Sequence, residues 1–234
     1  MKNVTIIIPT YNEVKNIEAI VREIFSVVPE VKILIVDDNS PGKTADVARM
    51  LASKNPNVSL PFREKKEGLG KAYIHAFKHL LQLGNTQAVV MMDADFSHNP
   101  KYLRGMIEKA DHFDIVVGSR YIAGGGVEGW EKWRKFMSRG GNIYARVITF
   151  LPVRDLTGGF NLIRTDFLQK IDFSRIDASG YAFQIELKYA LSKKRARFFE
   201  LPILFSNRRE GESKMNNHII TEGIFAPWKM ILKK

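Results

Sequence analysis

Two carboxylates lie two residues apart in this sequence, directly after a run of apolar residues. Asp93 and Asp95 follow residues 88–92, which have the composition of a buried strand. Carboxylate oxygens are ligands that Mg²⁺ and Mn²⁺ accept, and such ions often bridge to substrate phosphates. A metal held there would offset the charge of a departing diphosphate. A cap or a surface pair is the alternative, but the position after a strand favours a metal site.

Other predicted strands also end in polar residues, namely residues 10–13, Asp37 with Asp38, and Ser119 with Arg120. Because open α/β sheets bind ligands at the carboxyl ends of their strands, we expect these groups to share one edge. Asp37 and Asp38 are suited either to accept hydrogen bonds from a nucleoside or to cap the next helix.

A glycine-containing loop at residues 66–72 enters a predicted helix. Its backbone amides could approach a phosphate, or the loop could be a structural turn. The sequence has no Gly-x-Gly-x-x-Gly after its first strand and no Gly-x-x-x-x-Gly-Lys-Ser/Thr. These absences argue against a dinucleotide oxidoreductase and a P-loop nucleotidase.

Short apolar runs alternate with helical periodicity over the first 120 residues. The predicted strands cover residues 4–9, 31–36, 58–62, 88–92 and 115–117, and helices are predicted around residues 17–28 and 45–51 and over 68–83. Near-continuous apolar strands between amphipathic helices indicate an α/β protein. Its sheet is expected to be mostly parallel and covered by helices on both faces.

Helical patterns dominate after Arg120. Helices are predicted over 130–151 and around 183–191, with a strand at 198–205 between the second helix and an apolar C-terminal segment. Residues 124–126 are three glycines, which predict a flexible loop.

The net charge of +11 is concentrated in the second part of the chain, since residues 128–234 carry +9. A solvated basic surface, an anionic membrane or a phosphorylated ligand would each explain it. Nucleic acid is not expected, because the sequence has no recognition-helix, zinc-finger or RNA-binding signature. There is no cysteine, which excludes a disulfide framework and fits the cytoplasm. We expect no secretory signal and no membrane-spanning helix, which would need about 20 apolar residues.

Several segments, in order over essentially the whole chain, carry a resemblance to a known family. They are Ile8–Glu13, Val36–Pro41, Gly68–Tyr73, Met92–His98, Gly118–Tyr121, Trp133–Phe136 with Ser138, Thr157–Phe160, Gly180–Glu186, and Phe205–Arg208 with Gly211, Ser213 and Lys214. They resemble the family 2 glycosyltransferases of the GT-A fold, a Rossmann-like α/β fold. The closer similarity is to the dolichol-phosphate (polyprenyl-phosphate) mannose synthases.

The resemblance implies a metal-dependent enzyme that transfers mannose from GDP-mannose to dolichyl or undecaprenyl phosphate with inversion, using Mg²⁺ or Mn²⁺. The substrate-binding positions that it implies are Pro9, Tyr11, Glu13, Val36, Asp38, Ala94, Asp95, Arg120, Arg208 and Lys214. The metal shell that it implies is Asp93, Asp95 and Ser97. Arg120, Arg134 and Ser138 match positions for the acceptor phosphate, and with Asp95 they are the candidate catalytic residues.

Three positions depart from the family pattern. Ser97 stands where close relatives often carry glutamine, so a contact through water is an alternative to direct metal ligation. Asn161 stands where arginine is common, and residues 42–44, Gly-Lys-Thr, replace the usual Asp-Gly-Thr.

The chemistry of the residues suits such a transfer. A phosphate monoester is already anionic near neutral pH, so it can attack a sugar without a protein base. The protein must position it and neutralise the repulsion between two phosphorylated reactants, which arginine forks do well. We expect a single domain over residues 1–234. Residues 1–120 would bind the nucleotide-sugar, and the helical, membrane-proximal residues 121–234 would bind the acceptor.

The basic second half also predicts a location. Trp130, Trp133, Phe150 and Trp228 suit a membrane interface, with an ordinary core as the alternative. We expect a cytoplasmic protein, peripheral on the cytoplasmic face of a membrane. A small membrane-anchor subunit is a possible partner, since many relatives have C-terminal membrane helices.

Two other functions remain open from the sequence. One keeps the polyprenyl-phosphate acceptor but uses UDP-glucose or another nucleotide-sugar. The other is a non-catalytic nucleotide-sugar-binding, membrane-docking module.

Overall fold

The structure is a computed structural model that describes residues 1, 3–61, 63, 65–177, 180–207 and 217–232. Its strands are β1 (Val4–Thr10), β2 (Lys32–Asp37), β3 (Val58–Ser59), β4 (Ala88–Met91), β5 (Ile115–Ser119), β6 (Gly126–Val127), β7 (Asn161–Arg164), β8 (Phe198–Pro202) and β9 (Leu204–Phe205). Its helices are α1 (Ile17–Val27), α2 (Thr44–Lys54), α3 (Leu69–Leu83), α4 (Leu103–Lys109), α5 (Lys132–Thr149), α6 (Thr165–Leu168), α7 (Gly180–Lys193) and α8 (Asn217–Leu232). The alternation of strands and helices predicted from the sequence is confirmed.

Across the described residues, one sheet of seven strands has the order β3-β2-β1-β4-β7-β5-β8. Neighbouring strands are parallel except at β7, which runs antiparallel to both β4 and β5. The predicted mostly parallel sheet is therefore confirmed. The sequence analysis missed β7, because its direction and place depend on the route of the long connection through α5.

Helices cover both faces of the sheet, as predicted. Alternate side chains of β1 point to opposite faces, so Ile6 and Ile8 share a core with α1, α2 and α4. Ile7 shares the other core with α3, α5, α7 and α8. None of the three has exposed surface, and each such burial contributes about 1.5–3 kcal/mol. Strands buried on both faces explain the near-continuous apolar runs.

Two predicted strands differ from the observed ones. Of the predicted strand 58–62, residues 58–61 are described, and among them only Val58 and Ser59 form β3 at the sheet edge, because Pro61 has no N–H to donate to a ladder. Segment 198–205 is divided into β8, which pairs with β5, and β9, which pairs with β6. Pro202 ends the first of these pairings.

The predicted glycine loop is a tight turn at its centre. A Cβ placed on Gly125 would lie 2.5 Å from the carbonyl oxygen of Ser119. Only glycine therefore lets the chain pass this close to the end of β5. The turn leads into β6 and then to Trp130, which returns to the same end of the sheet.

The helix predicted over 130–151 is α5. It ends at Phe150, whose φ of 55° is in the left-handed region. α5 packs against α8, and Trp228 Nε1 donates a hydrogen bond to Tyr144 Oη at 2.8 Å. Large exposed apolar side chains remain on this pair of helices and at Phe150: Trp133, Phe136, Met137, Ile143, Tyr144, Val147, Phe225, Trp228, Ile231 and Leu232.

The exposure of these side chains decides between two expectations. Trp133, Phe150 and Trp228 are 61%, 88% and 48% exposed, so the core alternative is wrong for these three aromatics. In the described part of the chain, no helix has both the length and the apolar character needed to cross a membrane.

Candidate functional site

A cavity of about 340 Å³ lies at the carboxyl ends of β1, β2, β4 and β5. The residues that line it from these strand ends are Pro9, Thr10, Tyr11, Glu13, Asp38, Asp93, Ala94, Asp95 and Arg120. The loop before α3, residues 157–159, Trp130, Gln184 and Phe205 complete its walls. The shared edge expected from the sequence is therefore present.

Three of these strand ends turn through a residue with positive φ. Asn12 follows β1 with φ 61°, Asn39 follows β2 with φ 54°, and Phe96 follows β4 with φ 64°. Asparagine tolerates this conformation, whereas for phenylalanine it is strained. Such strain persists where the surrounding structure enforces it, and it is common at functional sites.

The two carboxylates after β4 both reach the cavity, but they differ in exposure. The Asp93 side chain is 32% exposed, whereas Asp95 is 4% exposed. Asp95 Oδ1 accepts hydrogen bonds from the Ser97 hydroxyl at 2.6 Å and from the Ser97 backbone N–H at 3.0 Å. Ser97 is itself buried, so it fixes the orientation of the Asp95 carboxylate.

The buried side chain of His98 supports the same turn after β4. Its Nδ1 accepts a hydrogen bond from the backbone N–H of Asp93 at 3.0 Å, which leaves the ring proton on Nε2. Burial lowers the pKa of His98, although the charges of Asp93 and Asp95 act in the opposite direction. The ring also stacks on Phe160, with 5.0 Å between the ring centroids. His98 is therefore a neutral support for the backbone of Asp93.

The residues present fit a hard divalent cation bound by two carboxylates. Among the residues that the structure describes, no group of three or more histidines, aspartates and glutamates is placed to hold a metal ion. Mg²⁺ commonly takes one or two carboxylates and completes its shell with water and substrate phosphates. Asp93 and Asp95 on an open cavity wall match that mode. Burial raises the pKa of the nearby Tyr73 well above its usual value, and the charges of Asp93 and Asp95 raise it further. The two carboxylates therefore make the electrostatic potential negative at this point, which favours a cation.

Asp37 and Asp38 have separate roles. Asp37 accepts hydrogen bonds from Thr10 Oγ1 at 2.9 Å and from the backbone N–H of Ser40 at 2.9 Å, so it caps the turn after β2. Asp38 lines the cavity and accepts from Arg63 Nη1 at 2.6 Å and from the Gly68 N–H at 2.8 Å. Asp38 therefore ties the loop before α3 to the cavity wall.

That loop brings positive charge to the cavity. Lys66 Nζ lies 3.6 Å from the centroid of the Tyr11 ring, and both residues line the cavity. Gly68, Leu69 and Ala72 at the start of α3 line it as well. The amino end of a helix attracts anions, so this wall is suited to a phosphate. A phosphate-binding role for residues 66–72 stays a prediction.

Arg120 is held by a buried carboxylate. Its Nε and Nη2 donate to Asp155 at 2.7 and 2.8 Å, and Nη2 also donates to Thr157 Oγ1 at 2.9 Å. Burial by itself would raise the pKa of Asp155, but the charge and hydrogen bonds of Arg120 outweigh this effect and lower it. The two-pronged contact fixes the plane of the guanidinium at the cavity wall.

Lys188 on α7 contacts the segment that follows Asp155. Its Nζ donates to the carbonyl oxygens of Leu156 at 3.1 Å and Gly158 at 2.8 Å, and the side chain is fully buried. Burial lowers the pKa of Lys188 to about 7, although the charge of Asp155 acts in the opposite direction. Lys188 therefore fastens the loop that follows Asp155.

Arg134 and Ser138 lie on α5, and neither is among the residues that line the larger cavity. The guanidinium carbon of Arg134 lies 4.1 Å from the Trp130 ring centroid, and that of Arg120 lies 5.9 Å from it. Ser138 Oγ accepts a hydrogen bond from Tyr121 Oη at 2.7 Å. The three residues expected to act together are thus connected through Trp130 and Tyr121.

Comparison with known proteins agrees with this geometry. Residues 5–172 match the family model described as Glycosyl transferase family 2. The chain belongs to glycosyl transferase family 2. This family 2 glycosyltransferase is 38% identical, over 93% of its length, to the undecaprenyl-phosphate mannosyltransferase of Micrococcus luteus, of which it covers 89%. It is 39% identical, over 95% of its length, to the polyprenol monophosphomannose synthase of Mycolicibacterium smegmatis, of which it covers 85%.

Solved structures share the fold. The glucosyl-3-phosphoglycerate synthase of Mycobacterium tuberculosis in complex with Mn²⁺, uridine diphosphate and phosphoglyceric acid matches 99% of this glycosyltransferase with a TM-score of 0.68. The match covers 78% of that chain at 16% sequence identity. The complex of the same synthase with phosphoglyceric acid gives a TM-score of 0.67. This likeness establishes the predicted GT-A fold.

Val36, another predicted site residue of the glycosyltransferase, is fully buried within β2 and is not among the residues that line the cavity. Arg208 and Lys214 lie outside the described residues. The roles assigned to individual residues in binding substrate or metal stay predictions.

Three supporting residues were not anticipated as part of the site. They are Arg63, His98 and Lys188. The burial of Lys188 could have been predicted, because it falls at helical spacing from Gln184 and Leu191 of α7, which are buried. Arg63 could not have been predicted in this way, since it lies in an irregular segment and meets Asp38 only through the fold.

Proposed function

We propose that this glycosyltransferase transfers mannose from GDP-mannose to a polyprenyl phosphate, such as undecaprenyl or dolichyl phosphate, with inversion at the anomeric carbon. The observation that carries the proposal is its 38–39% identity, over nearly its full length, to two proteins named for mannosyl transfer to polyprenol or its phosphate. The cavity at the carboxyl edge of the sheet supports it with the groups that such a transfer needs.

The donor would occupy the cavity between β1, β2 and β4. Pro9, Tyr11, Glu13 and Asp38, which line the cavity, would hold the nucleoside, with the buried Val36 behind them, and Ala94 would lie at the diphosphate. Lys66, which lies over the Tyr11 ring, and the start of α3 add positive charge to the cavity. Arg208 and Lys214 would close over the phosphates.

Asp93 and Asp95 would hold the divalent cation, Mg²⁺ or Mn²⁺, with Ser97 as the third predicted member of the shell. When bound, the ion neutralises charge on the diphosphate leaving group. Ser97 donates to Asp95, and His98 accepts from the backbone of Asp93. These contacts keep the two carboxylates oriented before substrate arrives, which is how supporting residues tune a metal site.

Arg120, Arg134 and Ser138 would hold the acceptor phosphate. An acceptor oxygen forms the new bond to the anomeric carbon while the bond to the diphosphate breaks, and that electron pair leaves with GDP. Attack opposite the leaving group inverts the configuration. The acceptor is already anionic, so the task of the arginines is to place it and to reduce repulsion.

The acceptor is a lipid, so the enzyme must meet a membrane. The exposed apolar side chains of α5 and α8, together with the +9 charge of residues 128–234, suit the surface of an anionic bilayer. We infer a peripheral location on the cytoplasmic face, with a small membrane-anchor subunit as a possible partner.

The test is transfer of label from GDP-mannose to undecaprenyl phosphate in neutral detergent with Mg²⁺ or Mn²⁺. Labelled lipid is expected from the unchanged protein. D95N should reduce the rate about 10²-fold or more, a size typical for losing one electrostatic contact to developing charge. D46N, which alters an exposed carboxylate on α2, is the matched control. Product from UDP-glucose but not from GDP-mannose would contradict the donor, and no lipid product from any nucleotide-sugar would contradict the transfer.

A further inference from the structure

A second cavity, of about 200 Å³, lies against α5. Its lining residues are Tyr121, Arg139, Asn142, Ile143, Arg146 and Arg154. In the described part of the chain it shares no lining residue with the larger cavity. We call it the arginine pocket.

Helical spacing builds most of the arginine pocket. Arg139, Asn142, Ile143 and Arg146 are separated by three, one and three residues, so they lie on one face of α5. Arg154 joins them because Phe150, with its φ of 55°, ends α5 and turns the following residues back beside it.

The floor of the pocket is firmly held. Asn142 is 1% exposed, and its Oδ1 accepts from the backbone N–H of Leu156 at 2.7 Å and of Thr157 at 3.1 Å. Its Nδ2 donates to the Ser138 carbonyl oxygen at 2.8 Å. Asn142 thus fixes α5 against the segment that carries Arg154.

Three guanidinium groups at one pocket form a concentrated positive site. Arg139, Arg146 and Arg154 are exposed, and none of them forms an ion pair within the described residues. The neighbouring Asp155 is instead committed to Arg120. Arginine forks grouped without a carboxylate match the geometry of a phosphate.

The surroundings of the pocket indicate where that phosphate comes from. Ile143 lines the pocket and is 57% exposed, while Val147 and Phe150 are 65% and 88% exposed on the adjoining surface. A phosphate bound here would have apolar side chains directly beside it. This is the arrangement of a lipid, whose charged headgroup adjoins its acyl chains.

We propose that the arginine pocket binds the phosphate headgroup of an anionic phospholipid, separately from the acceptor lipid. The acceptor's predicted ligands Arg120, Arg134 and Ser138 do not line the pocket, although Tyr121, which lines it, donates a hydrogen bond to Ser138 Oγ at 2.7 Å. The proposal rests on the membrane location inferred above. It adds that recognition is local to the pocket rather than spread over the basic surface.

The test is co-flotation of the protein with vesicles of phosphatidylcholine alone and of equal parts phosphatidylcholine and phosphatidylglycerol. R146Q/R154Q removes two guanidiniums from the pocket. K132Q/K135Q removes the same number of charges from α5, outside the pocket, and is the matched control. Wild type is expected to favour the anionic vesicles. The pocket variant should bind them about tenfold more weakly than the control, since forked hydrogen bonds are lost along with charge.

The possible results separate the ideas. Equal losses in the two variants would show diffuse attraction only and overturn the pocket. A raised KM for undecaprenyl phosphate in neutral detergent, specific to R146Q/R154Q, would assign the pocket to the acceptor and also overturn the proposal. If wild type binds neither vesicle, the membrane location itself fails, and the pocket proposal fails with it.

Discussion

Arginines occupy two contrasting settings in this glycosyltransferase. Around the larger cavity, Arg63 and Arg120 are buried, and each donates to an aspartate. At the arginine pocket, the arginines are exposed and have no carboxylate partner within the described residues. The contrast teaches that the arginines around the larger cavity are held in place by carboxylates, whereas those of the arginine pocket are left to interact with another molecule.

Among the buried residues around the larger cavity, replacement of Asp155 should cause the largest loss of stability. D155A would leave the Arg120 guanidinium buried without its carboxylate, which typically costs about 3–5 kcal/mol of folding free energy. Urea denaturation measures this loss. D46N, at an exposed carboxylate, should change little. A loss for D155A no greater than that for D46N would mean that the buried pair does not hold the wall.

A substitution of Lys188 tests the same buried region through the pH dependence of stability. In K188M the carbonyls of Leu156 and Gly158 lose their donor, which should cost about 1–3 kcal/mol. The pKa of Lys188 is about 7 in the folded protein and about 10.4 when unfolded. Between these values the unfolded chain binds more protons, so wild-type stability rises with pH.

The deficit of K188M relative to wild type should therefore be larger at about pH 9 than at about pH 7. Denaturant titrations at both pH values measure it. K193M, at the exposed end of α7, is the control and should show no such growth. A deficit that stays constant with pH would contradict the depressed pKa.

A substitution at Gly140 tests whether the exposed surface of α5 is free of packing contacts. A Cβ at Gly140 meets no atom within 4 Å, so α5 is not packed there. G140A should stabilise the protein by about 1 kcal/mol, because alanine favours a helix more than glycine does. Thermal unfolding gives the sign. G125A, whose Cβ would lie 2.5 Å from a carbonyl oxygen, should destabilise instead, and stabilisation by both would refute the packing difference.

Substitutions on the exposed apolar face of α5 should have the smallest effect on stability but a clear effect on membrane binding. Phe136 and Val147 are 77% and 65% exposed, and serine has a similar helix propensity to both. F136S/V147S should change the free energy of unfolding by no more than about 0.5 kcal/mol. Its binding to anionic vesicles should nevertheless fall, as co-flotation would show. L83S, at an exposed leucine on α3, is the control, and equal vesicle binding by both variants would contradict an interfacial role for α5.

The sequence predicted the parts of the fold that local pattern encodes. Apolar runs located β1, β2, β4 and β5, and the polar residues after them located the cavity edge that contains Asp38, Asp95 and Arg120. Such features follow from strand burial and from the position of parallel strand ends. The expectation of a single domain stays a prediction.

Features that depend on long-range packing were not accessible in the same way. The pairing of Arg63 with Asp38 and of Arg120 with Asp155 joins segments 25 and 35 residues apart. No periodicity marks such partners. The arginine pocket was also hidden, because Arg154 joins the α5 arginines only through the turn at Phe150.

The position of β7 has a consequence for how the protein is made. β7 lies between β4 and β5, so these two strands of the amino-terminal half do not pair with each other. During synthesis both strands emerge before their common neighbour exists, and each presents an open edge until residues 161–164 follow. Pairings over such sequence distances form slowly. The sheet begun by residues 1–120 is therefore completed by a strand from residues 121–234, and a nascent chain that stops near residue 120 has an unfinished sheet that is prone to aggregate.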